Sequence, residues 1–375
     1  MTTIDGLLRR ADEEGVQVFG ITPTGFPGRG IGVMATRDLE RGDIIMTIPV
    51  QAIHSLHTVP EDIVCKLSRD ISIHGLLAAE LALQHTASAD LAELVPKWTD
   101  FEATIPYLWP AELQRLLPGE ARCLLTKQQT KFEKDWDMFR NGFASKSRQD
   151  YLYAWLLVNT RAFYYETSAM MLFPWHDRLA LLPVADLFNH SDTGCSVSFS
   201  TESYTVTADR RYYAGDEVYT SYGEHSNDFL LAEYGFLPSE NRWDKVCLDD
   251  LLLPRLTPKQ KSELRENGCL GDFILHDGLK KCDNIWIALR LLCCVDASWQ
   301  RYIDGEEDAE GTLAKATELL PALLEGYLGR IKEIQTEIRA LQVGRDCQQK
   351  LLVRRWEQIE ALVRQAMVMN GPPYE

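Results

Sequence analysis

Two short polar segments carry side chains of the types that hold and react with small polar molecules. An apolar run at residues 183–188 leads into an Asn-His-Ser turn at 189–191. A second run at residues 217–221 leads into Tyr222, which a glycine follows. Because both runs have the composition of β-strands, we expect an amide, an imidazole and a phenol at the ends of neighbouring strands. Such a site suits a polar cofactor held beside a nucleophile.

The same region also fits a metal site. His190 and Asp192 are separated by one residue, and His225 lies further along the chain. Two histidines and a carboxylate are the ligand set of non-haem iron oxygenases. An Fe(II)/2-oxoglutarate oxygenase that uses these three ligands is therefore an alternative. A plainer interpretation makes Asn189 a turn former and His190 a buried, hydrogen-bonded core residue.

Two tyrosines add an aromatic component to the candidate site. Tyr222 and Tyr234 are each followed by a glycine, which leaves room beside the ring. A buried tyrosine is usually an ordinary core residue with a hydrogen-bonded hydroxyl. Two tyrosines that are each followed by a glycine are a less ordinary pattern.

A glycine-rich loop lies near the N-terminus. Gly28, Gly30 and Gly32 alternate with other residues, a spacing that differs from the dinucleotide-binding fingerprint. The loop runs into the β-branched segment 31–35, so no helix N-terminus follows it to receive a phosphate. We interpret it as a turn whose backbone can approach a ligand closely.

The elements that position these residues follow from the hydrophobic pattern. Apolar alternation predicts several strands, and spacing of three and four predicts helices. The strands are expected at 16–21, 31–35, 44–48, 179–188, 196–200, 204–207 and 217–222, and the helical parts at 4–14, 55–172 and from 240 onward. The strands at 196–200 and 204–207 read as one hairpin. Strands on both sides of a helical block predict one β domain with a helical insertion, followed by a helical domain.

Composition limits the class of protein. The chain has 375 residues, 45% hydrophobic and 25% charged, which is typical of a soluble globular protein. It has no run of 18 apolar residues and no secretory pattern at its N-terminus. The net charge of −16 disfavours nucleic acid and anionic membranes and favours basic partners. We expect a monomer.

The nine cysteines are scattered along the chain, and no two form a Cys-x-x-Cys pair. This pattern predicts neither a disulfide framework nor a zinc cluster. Reduced, mostly buried thiols are typical of the cytoplasm or the nucleus.

Four segments, taken together and in this order, resemble the SET-domain protein methyltransferases. The resemblance is to the branch of the Rubisco large-subunit lysine methyltransferase, which also includes ribosomal-protein lysine methyltransferases and the actin histidine methyltransferase. The segments are 28–39, 160–163, 185–191, and 215–223 with 234–236. The matched region runs from residue 16 to 238, and a helical region follows it, as in that branch.

The resemblance implies an α+β fold. Residues 1–238 would form a SET domain of small β-sheets with the helical insertion at about 55–172. Residues 239–370 would form an all-helical C-terminal domain of the substrate-binding type. The implied activity is N-methylation of a lysine side chain in a protein substrate, with S-adenosyl-L-methionine as the cofactor. Methylation of histidine or of a small-molecule amine, and a catalytically silent SET module that only binds a partner, are alternatives.

The resemblance also implies roles for individual residues. Tyr222 would be catalytic and would lie beside the transferred methyl group. Substrate would contact Asp186, Tyr234 and Phe236, and no residue would bind a metal. The implied cofactor-binding residues are Gly28, Arg29, Gly30, Arg161, Asn189, His190 and Tyr222. Where that branch often has an acidic residue at the start of the glycine loop, this chain has Pro27.

Overall fold

A computed structural model describes residues 3–84, 94–276, 283–294, 299 and 311–368. The chain divides into two compact units. The first comprises Met1–Leu108, Leu125–Glu224 and Glu233–Pro238, and the second comprises Trp109–Leu124, His225–Ala232 and Ser239–Glu375. Every residue implied for the site by the resemblance belongs to the first unit, whereas His225 belongs to the second. Residues 369 and 370, at the end of the predicted C-terminal domain, lie outside the described residues, as does Cys282.

The first unit is built on a seven-stranded sheet. Its strands are β1 (Gln17–Val18), β2 (Ile21–Phe26), β3 (Gly30–Ala35), β4 (Ile44–Pro49), β7 (Asn189–Phe199), β8 (Ser203–Thr207) and β9 (Glu217–Thr220). Their order is β1-β4-β8-β7-β9-β3-β2. Neighbours pair antiparallel except for β7 and β9, which run parallel. A separate two-stranded ribbon joins β5 (Phe163–Tyr164) to β6 (Leu179–Ala180).

Side-chain alternation explains the inner strands of this sheet. In β8, Tyr204 and Val206 are buried while the residues between them are partly exposed. In β4, Met46 and Ile48 are buried, and so is Ile45, where the register with β8 shifts. Strands with apolar residues on one face bury that face against the rest of the unit. The predicted hairpin is confirmed as the antiparallel pair β7–β8, in which Phe199 lies opposite Tyr204.

Helices occupy most of the chain between β4 and β5 and the chain after β9. They are α1 (Thr3–Glu13), α2 (Glu61–Val64), α3 (Ile73–Gln84), α4 (Trp98–Thr104), α5 (Ala111–Gln114), α6 (Gly119–Gly142), α7 (Arg148–Arg161), α8 (Asn227–Phe229), α9 (Asp249–Leu252), α10 (Pro258–Glu266), α11 (Asp283–Cys293), α12 (Thr312–Ala340) and α13 (Asp346–Val368). Within the described chain, no helix has both the length and the apolar composition needed to span a membrane.

Helix α7 positions one of the predicted site residues. It begins after Ser147, whose hydroxyl accepts a hydrogen bond from the backbone N–H of Asp150 at 3.0 Å, a normal N-terminal cap. Its buried side chains include Tyr151 and Trp155, and the Tyr151 hydroxyl donates to the carbonyl of Gly75 in α3 at 3.0 Å. The helix ends at Arg161. Packing of α7 on α3 therefore fixes the backbone position from which the Arg161 side chain extends.

The second unit is mainly helical, as predicted for the C-terminal region. The predicted stripe in α13 is confirmed, because Trp356, Ile359 and Val363 are buried. The expectation that this region is all-helical needs one correction. A short antiparallel ribbon joins β10 (Val246–Cys247) to β11 (Ile274–Leu275).

The predicted strand at 179–188 is mostly wrong. Only β6 and an isolated bridge from Leu181 to His54 pair as β-structure there, and Ala185–Leu187 forms one turn of 3₁₀ helix. Val184, just before that turn, has a φ of 69°, which is rare and strained for a β-branched residue. Asn189 therefore begins a strand instead of following one. The short strand β5 also lies inside the block that was predicted to be helical.

Candidate active site

The two polar segments meet where β7 starts beside the end of β9. Asn189 pairs with Tyr219 and His190 pairs with Thr220 in the parallel register. The register then shifts, because Cys195 also pairs with Thr220. Residues 191–194 therefore form an irregularity in the pairing of β7 with β9. The prediction that Asn189, His190 and Tyr222 lie at the ends of neighbouring strands is confirmed, but the predicted Asn-His turn is wrong, because both residues belong to β7.

Tyr222 is anchored at both its backbone and its side chain. Its backbone N–H donates to Nδ1 of His190 at 3.0 Å. Because a backbone N–H can only donate, Nδ1 of His190 must be the unprotonated ring nitrogen. The Tyr222 hydroxyl donates to the backbone carbonyl of Phe188 at 2.7 Å. This bond uses the only proton of the phenol. The oxygen can therefore still accept a hydrogen bond but cannot donate a second one.

Four rings, His190, Tyr222, Tyr234 and Phe236, form what we call the aromatic cluster. The ring centroids of Tyr222 and Tyr234 are 4.9 Å apart, and those of His190 and Tyr222 are 5.0 Å apart. Phe236 completes the cluster, at 5.8 Å from His190 and 6.2 Å from Tyr222. These are the usual spacings of interacting aromatic pairs. The structure thus brings together the phenol and both rings predicted to contact substrate.

The phenols of this cluster are surrounded by protein but retain some accessible surface. Burial raises the pKa of Tyr222 to about 12, an effect that the Arg161 guanidinium opposes. Burial also raises the pKa of Tyr234, and the neighbouring Tyr222 adds to the shift. Both side chains are nevertheless only partly buried by accessible area. Side chains that are crowded by protein and still partly accessible are typical of the wall of a cleft. Because their pKa values are raised, both hydroxyls stay protonated at neutral pH.

Arg161 and Asp186 form a second group of predicted site residues. Nη1 of Arg161 lies 2.9 Å from the backbone carbonyl of Asp186 and 3.4 Å from its Oδ2. Nε of Arg161 is buried and has no hydrogen-bond partner. Burial raises the pKa of the Asp186 carboxyl, and the Arg161 charge opposes that shift. A buried donor without a partner is costly, so this guanidinium is suited to receive a further acceptor.

Sequence reasoning missed Glu217, which organises the third group. Its carboxylate accepts from Nδ2 of Asn189 at 2.8 Å and from the Tyr219 hydroxyl at 2.8 Å. It also pairs with the guanidinium of Arg29. The Glu217 side chain is only 5% exposed. The sequence did contain a signal for the contact between Glu217 and Tyr219. The two residues alternate with buried Val218 and Thr220, which places both on the same face of β9.

The glycine loop is the turn between β2 and β3. Gly28 and Gly30 have φ values of 75° and 72°, a region that residues with a Cβ rarely adopt. A Cβ built on either would meet no atom within 4 Å. Gly28 and Gly30 are thus required by backbone conformation, and open space lies beside them. Arg29, between them, reaches across to Glu217.

A set of hydrogen bonds that the sequence did not reveal holds Glu233, the residue before Tyr234. Nδ2 of Asn159 donates to the backbone carbonyl of Glu233 at 2.9 Å and to its carboxyl at 3.1 Å. Gln128 donates to the same carboxyl oxygen at 2.5 Å. Burial raises the pKa of Glu233. Residues Leu230–Tyr234 form a π-helical turn, a feature often found at functional sites.

The iron-oxygenase alternative is wrong on geometry. Across the residues that the structure describes, which include His190, Asp192 and His225, no three His, Cys, Asp or Glu side chains are grouped to hold a metal ion. Nδ1 of His190 is engaged by the backbone of Tyr222. The ring of His225 instead stacks on Phe229, with centroids 3.9 Å apart.

Comparison with known families agrees with this arrangement. Residues 30–223, just over half of the chain, match the SET domain family. The match begins in the glycine turn and ends one residue after Tyr222.

Two curated relatives cover most of the chain. The ribosomal lysine N-methyltransferase set11 of Schizosaccharomyces pombe is 24% identical over 335 residues, which covers 85% of each protein. The SET domain-containing protein 4 of Mus musculus is 26% identical over 318 residues, covering 76% of this chain and 72% of that protein. A third relative, the actin-histidine N-methyltransferase of Rattus norvegicus, is 25% identical over 64% of this chain and 43% of its own.

Solved structures give the same fold at lower sequence identity. The SET domain of LSMT, bound to methyllysine and AdoHcy, superposes with a TM-score of 0.64 at 16% identity. That alignment covers 98% of this chain and 93% of the other. Rubisco LSMT bound to sinefungin and monomethyllysine superposes with a TM-score of 0.65, also at 16% identity, over 97% and 92% of the two chains.

Proposed function

Because this chain belongs to the SET-domain family, we propose that it is a protein N-methyltransferase that uses S-adenosyl-L-methionine to methylate a lysine side chain. The observation that carries the proposal is the hydrogen bond from the Tyr222 hydroxyl to the carbonyl of Phe188, within the aromatic cluster. It turns the phenol into a fixed acceptor at the wall of a crowded cleft. The ribosomal lysine methyltransferase and the LSMT structures named above support the choice of lysine.

The residues present fit the cofactor. Its amino-acid part carries a carboxylate, and the buried Nε of Arg161 is a donor that lacks an acceptor. The glycine turn leaves open space beside Gly28 and Gly30, as a backbone that borders a ligand requires. Asn189 and His190 lie at the start of β7, where their backbone groups can hold the polar parts of the nucleoside and the Asn189 amide can hold the amino-acid part. When bound, the cofactor supplies a methyl group on a positively charged sulfonium.

The protein's own contribution is to prepare the amine and to position it. A free lysine amine has a pKa near ~10.4, whereas the attacking amine must be neutral. Desolvation beside the rings of Tyr222 and Tyr234 lowers the pKa of an ammonium group. Nothing in the cluster needs to act as a strong base, and the Tyr222 phenol, with a pKa of about 12, is not one at neutral pH.

Tyr222 and Phe188 also orient the reaction. The lone pair of the phenol oxygen and nearby carbonyl oxygens can accept weak C–H···O contacts from a polarised methyl group. The ring faces of the cluster stabilise the methylated ammonium that the reaction produces. Positioning of this kind accounts for most of the rate enhancement that the site requires.

The substrate we propose is a basic segment of a protein. The net charge of −16 attracts basic partners and predicts that affinity falls with salt. We assign Asp186, Tyr234 and Phe236 to the substrate side of the site. We further propose a SET domain at 1–238 with its helical insertion, and a substrate-binding role for the helical region 239–370. Histidine is the second candidate acceptor, favoured by the similarity to the actin-histidine methyltransferase.

We propose the cytoplasm or the nucleus as its location. The cysteines among the described residues, eight of the nine, are all free thiols. Free thiols, three of them exposed, persist best in a reducing compartment. Imaging of a fluorescent fusion tests this assignment.

The proposed function is tested by labelling. Cell extract is incubated with isotopically labelled S-adenosyl-L-methionine and the purified protein, and labelled peptides are identified by mass spectrometry. We expect labelled methyl-lysine on a basic protein that Tyr222→Phe labels about 10- to 100-fold more slowly. Labelled methyl-histidine would favour the second candidate. A folded protein that does not bind the cofactor would overturn the proposal and favour a silent binding module.

A further inference from the structure

Glu217 is a nearly buried carboxylate whose neighbours are all hydrogen-bond donors. Its two oxygens receive the amide of Asn189, the hydroxyl of Tyr219 and the guanidinium of Arg29. The partners come from three different strands or turns: the start of β7, the middle of β9 and the glycine turn. This carboxylate therefore connects the elements that border the proposed cofactor site.

The contact with Asn189 fixes which way that amide points. An amide can rotate by 180° and exchange its donor and acceptor ends, and many asparagines are ambiguous for this reason. A carboxylate, however, can only accept. With Oε1 of Glu217 at 2.8 Å, the NH₂ group of Asn189 must face Glu217, and its Oδ1 must face the other way.

The chain leaves space for this contact at Gly32. A Cβ built on Gly32 would lie 2.6 Å from Nδ2 of Asn189 and 2.9 Å from Oε1 of Glu217. Real Cβ atoms do not approach polar atoms so closely, so any larger residue would separate or displace the pair. The glycine at position 32 therefore allows β3 to lie close to this hydrogen bond.

We propose that Glu217 is a positioning residue that holds Oδ1 of Asn189 ready to accept a hydrogen bond from the α-ammonium group of the cofactor. This inference rests on the proposed function. The ammonium and the carboxylate of the cofactor are attached to the same carbon. An acceptor for the first is therefore needed close to the donor, Arg161, for the second. Asp186, which Arg161 contacts, lies three residues before Asn189.

The test is the change Glu217→Gln, which keeps the shape but lets the side chain donate as well as accept. Asn189 then no longer has one required orientation. Binding is measured for S-adenosyl-L-methionine and for 5′-methylthioadenosine, which lacks the amino-acid part. We expect affinity for the first to fall about tenfold, the loss expected for a weakened hydrogen bond to a charged group, with affinity for the second unchanged. At saturating cofactor, kcat should change little.

A double-mutant cycle separates positioning from a general structural effect. If Glu217 acts through Asn189, then Glu217→Gln should cause no further loss of cofactor affinity in an Asn189→Ala background. Glu202→Gln, at an exposed position of the same unit, is the control that should bind as the wild type does. Thermal unfolding without ligand checks that each variant is folded.

Three outcomes would overturn the inference: unchanged cofactor affinity in Glu217→Gln, an equal loss for both ligands, or fully additive losses in the cycle. If Glu217→Gln does not fold, Glu217→Asp replaces it. This carboxylate is one methylene too short to reach Asn189 and should show the same selective loss. Cofactor affinity equal to the wild type in that variant would overturn the inference too. A folded wild type that binds no cofactor would instead refute the proposed function.

Discussion

The hydroxyl of Tyr222 donates a 2.7 Å hydrogen bond to the backbone carbonyl of Phe188. This bond joins the end of β9 to the residue just before β7, and it uses the only proton that the phenol has. The oxygen can consequently act toward a further group only as an acceptor. Because burial raises the pKa of Tyr222 to about 12, the bond persists across the pH range in which an enzyme is assayed.

We predict that Tyr222→Phe lowers kcat about 10- to 100-fold and leaves the cofactor dissociation constant within about twofold of the wild type. The expected size corresponds to the loss of one well-placed hydrogen bond of ~1–3 kcal/mol in the transition state. Single-turnover methylation and calorimetric binding measure the two quantities. The matched control is Tyr213→Phe, since Tyr213 is 58% exposed in the same unit. Equal loss of turnover and of cofactor binding would contradict the role assigned to Tyr222.

The second prediction concerns Arg161→Lys. A lysine keeps the charge but replaces the planar fork with a single ammonium group, which can serve Asp186 or a ligand carboxylate but not both in the same geometry. We expect affinity for S-adenosyl-L-methionine to fall about 10- to 100-fold, from the loss of a charge-assisted hydrogen bond. Affinity for 5′-methylthioadenosine, which has no carboxylate, should not change.

The chain offers a close control for that measurement. Arg178 has the same side-chain exposure as Arg161, 15%, and also pairs with a carboxylate, that of Glu166. Arg178→Lys should bind both ligands as the wild type does. If Arg161→Lys retained full affinity for the cofactor, the unpartnered Nε would have no part in binding it.

The sequence predicted the strand ends of the site but not the path of the chain between them. The segment before Asn189 is apolar and reads as a strand, yet it turns at Val184 into a 3₁₀ turn. Local composition cannot predict that, because tertiary packing and the Arg161–Asp186 contact hold the turn in place. The parallel pairing of β7 with β9 likewise depends on residues far apart in the chain.

Glu217 shows a different limit. In sequence it is one acidic residue beside a Gly-Asp turn, and most such residues are exposed. Its burial depends on Arg29, Asn189 and Tyr219, which come from three separate segments. By contrast, the helical stripe of α13 was predictable, because amphipathic spacing is a local property of the chain.

A third prediction links pH to stability through His74. Its ring is buried, stacks on Trp155 with centroids 4.0 Å apart, and donates from Nε2 to the Trp155 carbonyl at 2.9 Å. Burial, aided by the Lys131 charge, holds the pKa of His74 well below 6.5. The unfolded chain therefore takes up a proton below about pH 6.5 that the folded protein does not, so stability is lost as the pH falls, by up to ~1.4 kcal/mol per pH unit.

His74→Gln should remove this contribution. We expect the variant to be less stable than the wild type at pH 8, by about 1–3 kcal/mol for the lost stacking, with a difference that shrinks between pH 6.5 and pH 5. Urea unfolding followed by tryptophan fluorescence measures both proteins at each pH. Buried carboxyl groups such as Asp135 are common to both proteins and cancel in the comparison. His57→Gln, at an exposed position, should show little change at any pH. A wild-type advantage that stays constant from pH 8 to pH 5 would mean that His74 does not titrate as inferred.

The fourth prediction concerns the second unit, where Arg355 is fully buried. Its Nε lies 2.6 Å from Oδ1 of Asp228, and its Nη1 lies 2.7 Å from Oδ2 of Asp244. Both carboxylates are nearly inaccessible to solvent. Burial raises the pKa of Asp228, and the Arg355 charge opposes that shift. Removing the guanidinium would therefore leave two buried carboxyl groups close together without the charge that pairs with both of them.

We expect Arg355→Met to destabilise the protein by about 3–5 kcal/mol at pH 8, the usual effect of breaking a buried ion pair from one side. Without the opposing charge of Arg355, the pKa of Asp228 should rise further, so the folded variant binds a proton more readily than its unfolded chain does. The loss should therefore diminish as the pH falls toward 5.

The control is Arg364→Met on the same helix, whose ion pair with Glu360 is about half exposed on the arginine side and should contribute about 0–1 kcal/mol. Adding Asp228→Asn and Asp244→Asn to Arg355→Met should restore most of the stability at pH 8, because no buried charge is then left unpaired. If the triple variant were as unstable as Arg355→Met alone, the loss would come from packing around the arginine stem and not from the stranded carboxylates.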